Sequence, residues 1–167
     1  FPLGPAVMPG NYTVRLTVNG RSYSQPLAIK MDPRAAITAA GLKLQHDIGV
    51  RMNDAISRDF AALGELRRQR ALLRAQREGA KAGEIADSLV ALDSALAIIE
   101  TGPRNGSAEN LVRLNEELAG ILDTVEGADM DPTTQVVSAA TDVERSLASV
   151  LAQWTEIQRT RLRRNSR

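Results

Sequence analysis

PGNYTVRLTVNGRSYSQPLAIKMDPR, residues 9–34, is the stretch on which the fold turns. Residues 12–18 alternate, with Tyr12, Val14, Leu16 and Val18 on one side and Thr13, Arg15 and Thr17 on the other. Alternation of period two is the pattern of a half-buried strand. Asn19-Gly20 follows, a pair that suits a two-residue type I′ turn because both positions need a positive φ. That turn pairs Val18 with Arg21, Leu16 with Tyr23, Val14 with Gln25 and Tyr12 with Leu27. Tyr23, Leu27 and Ile29 then join the apolar face. Pro26 has no N–H for a ladder, which makes the second strand an edge there. Asp32-Pro33 ends the strand and is also a helix-start signal, with Thr38 a second candidate cap one turn later.

Everything after this hairpin reads as helix. From Ile37 the apolar positions run Leu44, Ile48, Met52, Ile56, Phe60, Leu63, Leu66 and Leu73, which predicts a first helix of roughly 50 Å or more. Gly41, Gly49 and Gly64 each cost it about 1 kcal/mol against alanine, so packing must hold it. Gly79 and Gly83 bracket a short turn. Ile85, Leu89, Leu92, Leu96 and Ile99 give a 4-3-4-3 seam for a second helix, and residues 101–106 (TGPRNG) break it. Ser107 is the candidate cap of a third helix with Leu111, Leu114, Leu118, Ile121 and Val125, closed by Gly127. Asp131-Pro132 repeats the start signal. A last helix carries Val136, Ala140, Val143, Leu147, Val150, Trp154 and Ile157. The expected fold class is mainly α: an antiparallel four-helix bundle preceded by a β-hairpin, the helices covering about 35–79, 84–101, 107–126 and 132–161. Amphipathic helices with short loops are expected to alternate up and down. Residues 1–34 form the hairpin unit and 35–167 the bundle.

Composition agrees. The chain has 167 residues, 43% hydrophobic but only 3% aromatic, so the core must be aliphatic, which favours packed helices over a β-sandwich. Net charge is +1, which argues neither for nucleic acid nor for a membrane. Its distribution is uneven: residues 84–131 carry eleven acids and two bases, residues 67–81 six bases and one acid, and residues 142–167 six bases and three acids. Side by side in a bundle, such segments compensate one another. There is no cysteine, which excludes disulfides and thiolate chemistry. No apolar run approaches the ~20 residues of a membrane span.

No group of residues rises to a catalytic constellation. His46 is the single histidine; it cannot build a zinc site with the carboxylates near it, and no nucleophile turn accompanies it. Asp54 with Arg58, Glu116 with Glu117, and Asp129 with Asp131 are the acid pairs worth placing. None sits in a Glu-x-x-His motif, and Asp129-Met130-Asp131 lacks the spacing of a calcium loop. Residues 67–77 (RRQRALLRAQR) are the strongest basic run. Without an aromatic stacking platform, they read as a face solvated or paired with the acidic helices. Trp154 falls on a seam position and reads as core. The expectation is no catalytic, cofactor-binding or metal-binding residue, and no cofactor.

The run GPAVMPGNYTVRLTVNGRSYSQPLAIKMDPR resembles a segment of large bacterial exported proteins. In these, a sortilin-like or sialidase-type β-propeller with Asp-box repeats is followed by an Ig-like module and a helical C-terminal region. The resemblance continues through DAISRDFAAL, NLVRLNEELAGIL, ADMDPTTQ and the late Trp154. It implies that residues 1–34 are the last strands of an Ig-like module and that the chain, which starts at Phe1 without an initiator methionine, is the C-terminal piece of a longer protein. The implied location is periplasmic or extracellular. Relatives of this kind are labelled glycosyl hydrolases on account of the propeller, and no catalytic position of theirs maps onto this chain. The implied function is a non-catalytic accessory or interaction module that contacts the upstream propeller and Ig-like part. The alternative is a helical module that self-associates through its 4-3-4-3 seams. Neither nucleic acid nor a membrane span is expected.

Overall fold

The structure is a computed structural model and describes residues 4–79, 83–104, 106 and 108–162. Strands β1 (Gly10–Val18) and β2 (Arg21–Ile29) pair antiparallel in the expected register, Val18 opposite Arg21 and Leu16 opposite Tyr23. Asn19 and Gly20 have φ of 49° and 76°, the two left-handed residues of a type I′ turn. Four helices follow: α1 (Ala39–Gly79), α2 (Glu84–Thr101), α3 (Leu111–Glu126) and α4 (Thr134–Ile157), the last running into a π-helical turn, Gln158–Leu162. The chain is thus mainly α, a four-helix bundle preceded by a β-hairpin.

The directions of the helices follow from their pairings. Gln45 meets Val125 and Asp59 meets Asn115, so α3 runs antiparallel to the first half of α1. Arg67 meets Glu100 and Arg74 meets Asp93, so α2 runs antiparallel to the second half. Helices α2 and α3 therefore lie end to end, pointing the same way, and together cover one side of α1. The connection 102–110 displaces the chain without reversing it. Arg51 pairs with Glu144, and Thr38 with Asp131, so α4 runs beside α1 in the same direction. Strict alternation fails at this one joint because α1, with 41 residues, is long enough to need two partners in series.

The core lies along α1. Among its buried positions Ile48, Met52, Ala55, Asp59, Ala62, Leu66 and Leu73 form a heptad seam with a carboxylate at one position, and Leu63 is buried beside it. Against it pack Leu89, Leu92, Leu96 and Ile99 of α2, Leu111, Leu114, Leu118, Leu122 and Val125 of α3, and Ala140, Val143, Leu147, Val150 and Trp154 of α4. Several expectations need correction. Phe60 is 74% exposed and Ile85 72% exposed, and Leu44 is also exposed. Reading only apolar residues slid the α1 stripe onto Phe60 because the true seam position is Asp59. On α3, Leu122 rather than Ile121 is fully buried.

The helix starts also differ. Thr38, not Asp32, caps α1, its Oγ1 accepting from Gly41 N–H at 2.9 Å; Asp32 instead closes a turn by accepting from Arg34 N–H. Asn110 caps α3 by accepting from Arg113 N–H, and Ser107 lies outside the described residues. Thr133 caps α4. Asp131 serves another helix: its Oδ1 accepts from the N–H and Oγ1 of Thr38 at 3.0 and 3.1 Å. In return Gln45 Nε2 donates to the carbonyls of Val125 and Ala128 at the end of α3. The start of α1 and the α3–α4 corner thus satisfy each other's unpaired backbone and capping groups.

Gly41 makes this exchange possible, since a Cβ there would sit 1.7 Å from Asp131 Oδ1. Alanine at this position should gain about 1 kcal/mol of helix propensity and lose the Asp131 contact. In a double-mutant cycle followed by urea denaturation, Gly41→Ala is expected to be more favourable by about 1 kcal/mol in an Asp131→Ala background than in the parent. Equal effects in both backgrounds would contradict the arrangement.

Candidate functional site

The hairpin is fastened at its base and bare above it. Ala6 N–H donates to Glu126 Oε2 at 3.0 Å, and His46 Nδ1 donates to the Ala6 carbonyl at 2.9 Å. Pro5 passes over Gly49, and a cavity of about 120 Å³ separates Val7, Met8 and Ile29 from Leu42, Gln45 and Asp129. These contacts hold the chain entering β1 and leaving β2 against the start of α1 and the end of α3. Beyond them, every residue from Gly10 to Ala28 is exposed. Tyr12, Val14, Leu16, Val18, Tyr23 and Leu27 make one continuous apolar face, with Leu16 61% and Tyr23 57% exposed. No helix covers it. Two strands alone are marginal in water, and a contiguous exposed apolar patch rimmed by polar residues is the usual mark of an interaction surface.

The residues singled out in the sequence are scattered, and most have structural work. His46 belongs to the fastening just described. Asp129 lines the small cavity, and Asp131 accepts from the N–H and hydroxyl of Thr38, the residue that caps α1. Glu117 accepts from Arg113 one turn away. Trp154 is core, 4% exposed. Among the described residues, no group of three or more His, Cys, Asp or Glu could hold a metal ion, and no helix is long and apolar enough to cross a membrane. Open grooves flank α4, one of about 570 Å³ against α3 and one of about 710 Å³ against α2. The acids on the rim of the first are already engaged: Glu117 with Arg113, Asp142 with Arg145, and Glu109 with the Ser146 hydroxyl.

The basic run pairs inside the molecule. Arg70 lies between α1 and α2 and donates to both Asp93 (2.7 Å) and Glu100 (2.5 Å), with Arg67 on Glu100 and Arg74 on Asp93. Burial pushes the carboxyls of Asp93 and Glu100 up, but the arginine hydrogen bonds and charges outweigh it and leave both below their ordinary values. Three arginines of the basic run and two of the acids that follow it thereby join α1 to α2.

Asp59 is the polar residue that the sequence reading passed over. It is fully buried on the seam of α1; its Oδ2 accepts from Asn115 Nδ2 at 2.7 Å, and its Oδ1 has no partner. Burial raises its pKa to about 6, with the Asn115 hydrogen bond and the charge of Arg67 opposing. The signal was available: at heptad spacing from Ile48, Met52 and Ala55, position 59 is a core position.

Comparison with protein-family models, curated proteins and solved structures gives no match.

The two kinds of buried carboxyl pull stability in opposite directions with pH. Asp93 and Glu100, depressed in the fold, contribute stability above the ordinary carboxylate range and lose it as pH falls through that range. Asp59, raised in the fold, is best accommodated below its ordinary value of 3.8 and costs stability as pH rises through about 6. Asp59→Asn should therefore stabilise the protein at pH 8 by on the order of 2–3 kcal/mol and leave it little changed near pH 4. Urea denaturation across pH 4–8 checks this; a variant destabilised at pH 8 would contradict it.

Proposed function

We propose that the chain is a non-catalytic accessory module that presents a β-hairpin to a β-rich partner. In the setting that the sequence resemblance implies, the partner is the Ig-like part of an exported β-propeller protein, and the bundle fixes the hairpin beside it. The observation that carries this reading is the bare apolar face of Tyr12, Val14, Leu16, Val18, Tyr23 and Leu27 above a fastened base. A hairpin that served only the bundle would turn this face onto a helix. Self-association through the heptad seams is less well supported, because the seams of α2, α3 and α4 are spent against α1. Phe60 and Ile85 are isolated exposed residues at the margins rather than a seam.

The reading requires the face to be dispensable for the bundle. Replacing Leu16 and Tyr23, which are cross-strand neighbours, together by threonine keeps strand propensity and removes the centre of the apolar face. The helical melt of this double variant should stay within about 2 °C of the parent, whereas a fall of about 5 °C or more would mean the face is part of the bundle's core. The encoded sequence upstream of Phe1 is the second check. Asp-box repeats and an export signal there support the reading; an initiator methionine immediately before Phe1 contradicts it.

A further inference from the structure

The two edges of the hairpin are not equivalent. In an antiparallel pair with a two-residue turn, the residues flanking the turn exchange both backbone hydrogen bonds, and the next pair out does not. The register puts Val18–Arg21, Leu16–Tyr23, Val14–Gln25 and Tyr12–Leu27 in the first class and Thr17–Ser22, Arg15–Ser24, Thr13–Pro26 and Asn11–Ala28 in the second. The 2.9 Å contact between the Thr17 and Ser22 hydroxyls fits this phase, since side chains lie closer across a non-hydrogen-bonded pair. The backbone groups of the second class point outward. On β1 they form an unbroken row at Asn11, Thr13, Arg15 and Thr17. On β2 the row is Ser22, Ser24, Pro26 and Ala28, and Pro26 supplies no donor at its middle. No backbone partner reaches either row among the described residues.

Charge selects the occupant. From the start of the chain to Met31 there are three bases, Arg15, Arg21 and Lys30, and no acid. Arg15 lies within the open row of β1 itself. A second copy pairing β1 against β1 would bring two such basic hairpins together, and like charges across strands are destabilising. Resting on the interaction-module reading above, we infer that the outer edge of β1 accepts one added strand from a partner. The added strand is apolar toward Leu16 and Tyr23 and acidic on the side of Arg15. Backbone pairing along Asn11–Thr17 supplies the affinity, and the basic side chains exclude a copy of the chain itself. Pro26 guards the opposite edge against further growth of the sheet.

A peptide of nine residues, the length of β1, alternating valine with glutamate, is the probe; the same peptide with lysine for glutamate is its control. Amide exchange of the whole chain is read by NMR. The glutamate peptide should slow exchange at Asn11, Thr13, Arg15 and Thr17 at least tenfold and leave Ser22, Ser24 and Ala28 unchanged. Added salt should weaken the effect, and the lysine peptide should not produce it. Thr13→Pro removes one outward donor without touching a ladder bond and should abolish the protection. Protection on the β2 side, or none with the glutamate peptide, overturns the inference. Protection that grows with the chain's own concentration in the absence of peptide overturns it in favour of a second copy. If Thr13→Pro still binds while the Leu16→Thr, Tyr23→Thr variant does not, docking is by the face: the edge inference falls and the interaction-module reading stands. If that double variant instead loses bundle stability, it is the module reading that falls.

Discussion

A single helix of 41 residues has to be covered along roughly 60 Å, and among the described residues no other helix is long enough to do it. That constraint organises the molecule. Helices α2 and α3 share the task in series, and α4 runs beside α1 as far as its own length allows. The polar fittings lie where this arrangement creates joints. Arg67, Arg70 and Arg74 fasten α2 to the second half of α1 through Asp93 and Glu100. Gln45 and Asp131 lock the α3–α4 corner to its first turn. Both sets are what a spine helix with stacked partners requires, since buried backbone ends and buried charges are costly unless paired.

The hairpin stands outside this scheme. Its base is held by Ala6, His46 and Glu126, but its apolar face meets no helix. The described core of the bundle gathers along α1, away from the hairpin. Position is therefore fixed at the base while the face stays exposed. The charges divide in the same way: Arg67, Arg70 and Arg74 of the basic run pair with α2, whereas Arg15, Arg21 and Lys30 on the hairpin and its exit face solvent without an acid in the same segment.

Much of the fold was legible because its signals are local. The Asn19-Gly20 turn and period-two pattern fix the hairpin and its register, and the 4-3-4-3 seams of α2 and α4 follow from apolar spacing alone. The failures have a common cause: each depends on a partner remote in sequence. Phe60 was read as core because the seam residue beside it is an aspartate, and only Asn115, across the α1–α3 interface, makes that aspartate tolerable. Asp131-Pro132 carries the start signal of its own helix, and Asp131 instead holds Thr38, the cap of α1, 93 residues earlier. The stacking of α2 on α3 is a property of relative helix lengths, not of the 102–110 connection. No local signal says whether the hairpin face is packed or bare, because that depends on what the bundle lays against it, and the face is exposed.

Hydrogen exchange of the whole chain under increasing urea tests the central claim, that the hairpin is held locally and lies outside the cooperative unit of the bundle. Ladder amides of β1 and β2, such as Val14, Leu16 and Tyr23, should open with free energies of about 0–2 kcal/mol that do not depend on urea, while amides at Met52, Leu118 and Leu147 follow the global unfolding curve. Hairpin amides that merge into the same global curve as the helices would contradict the account.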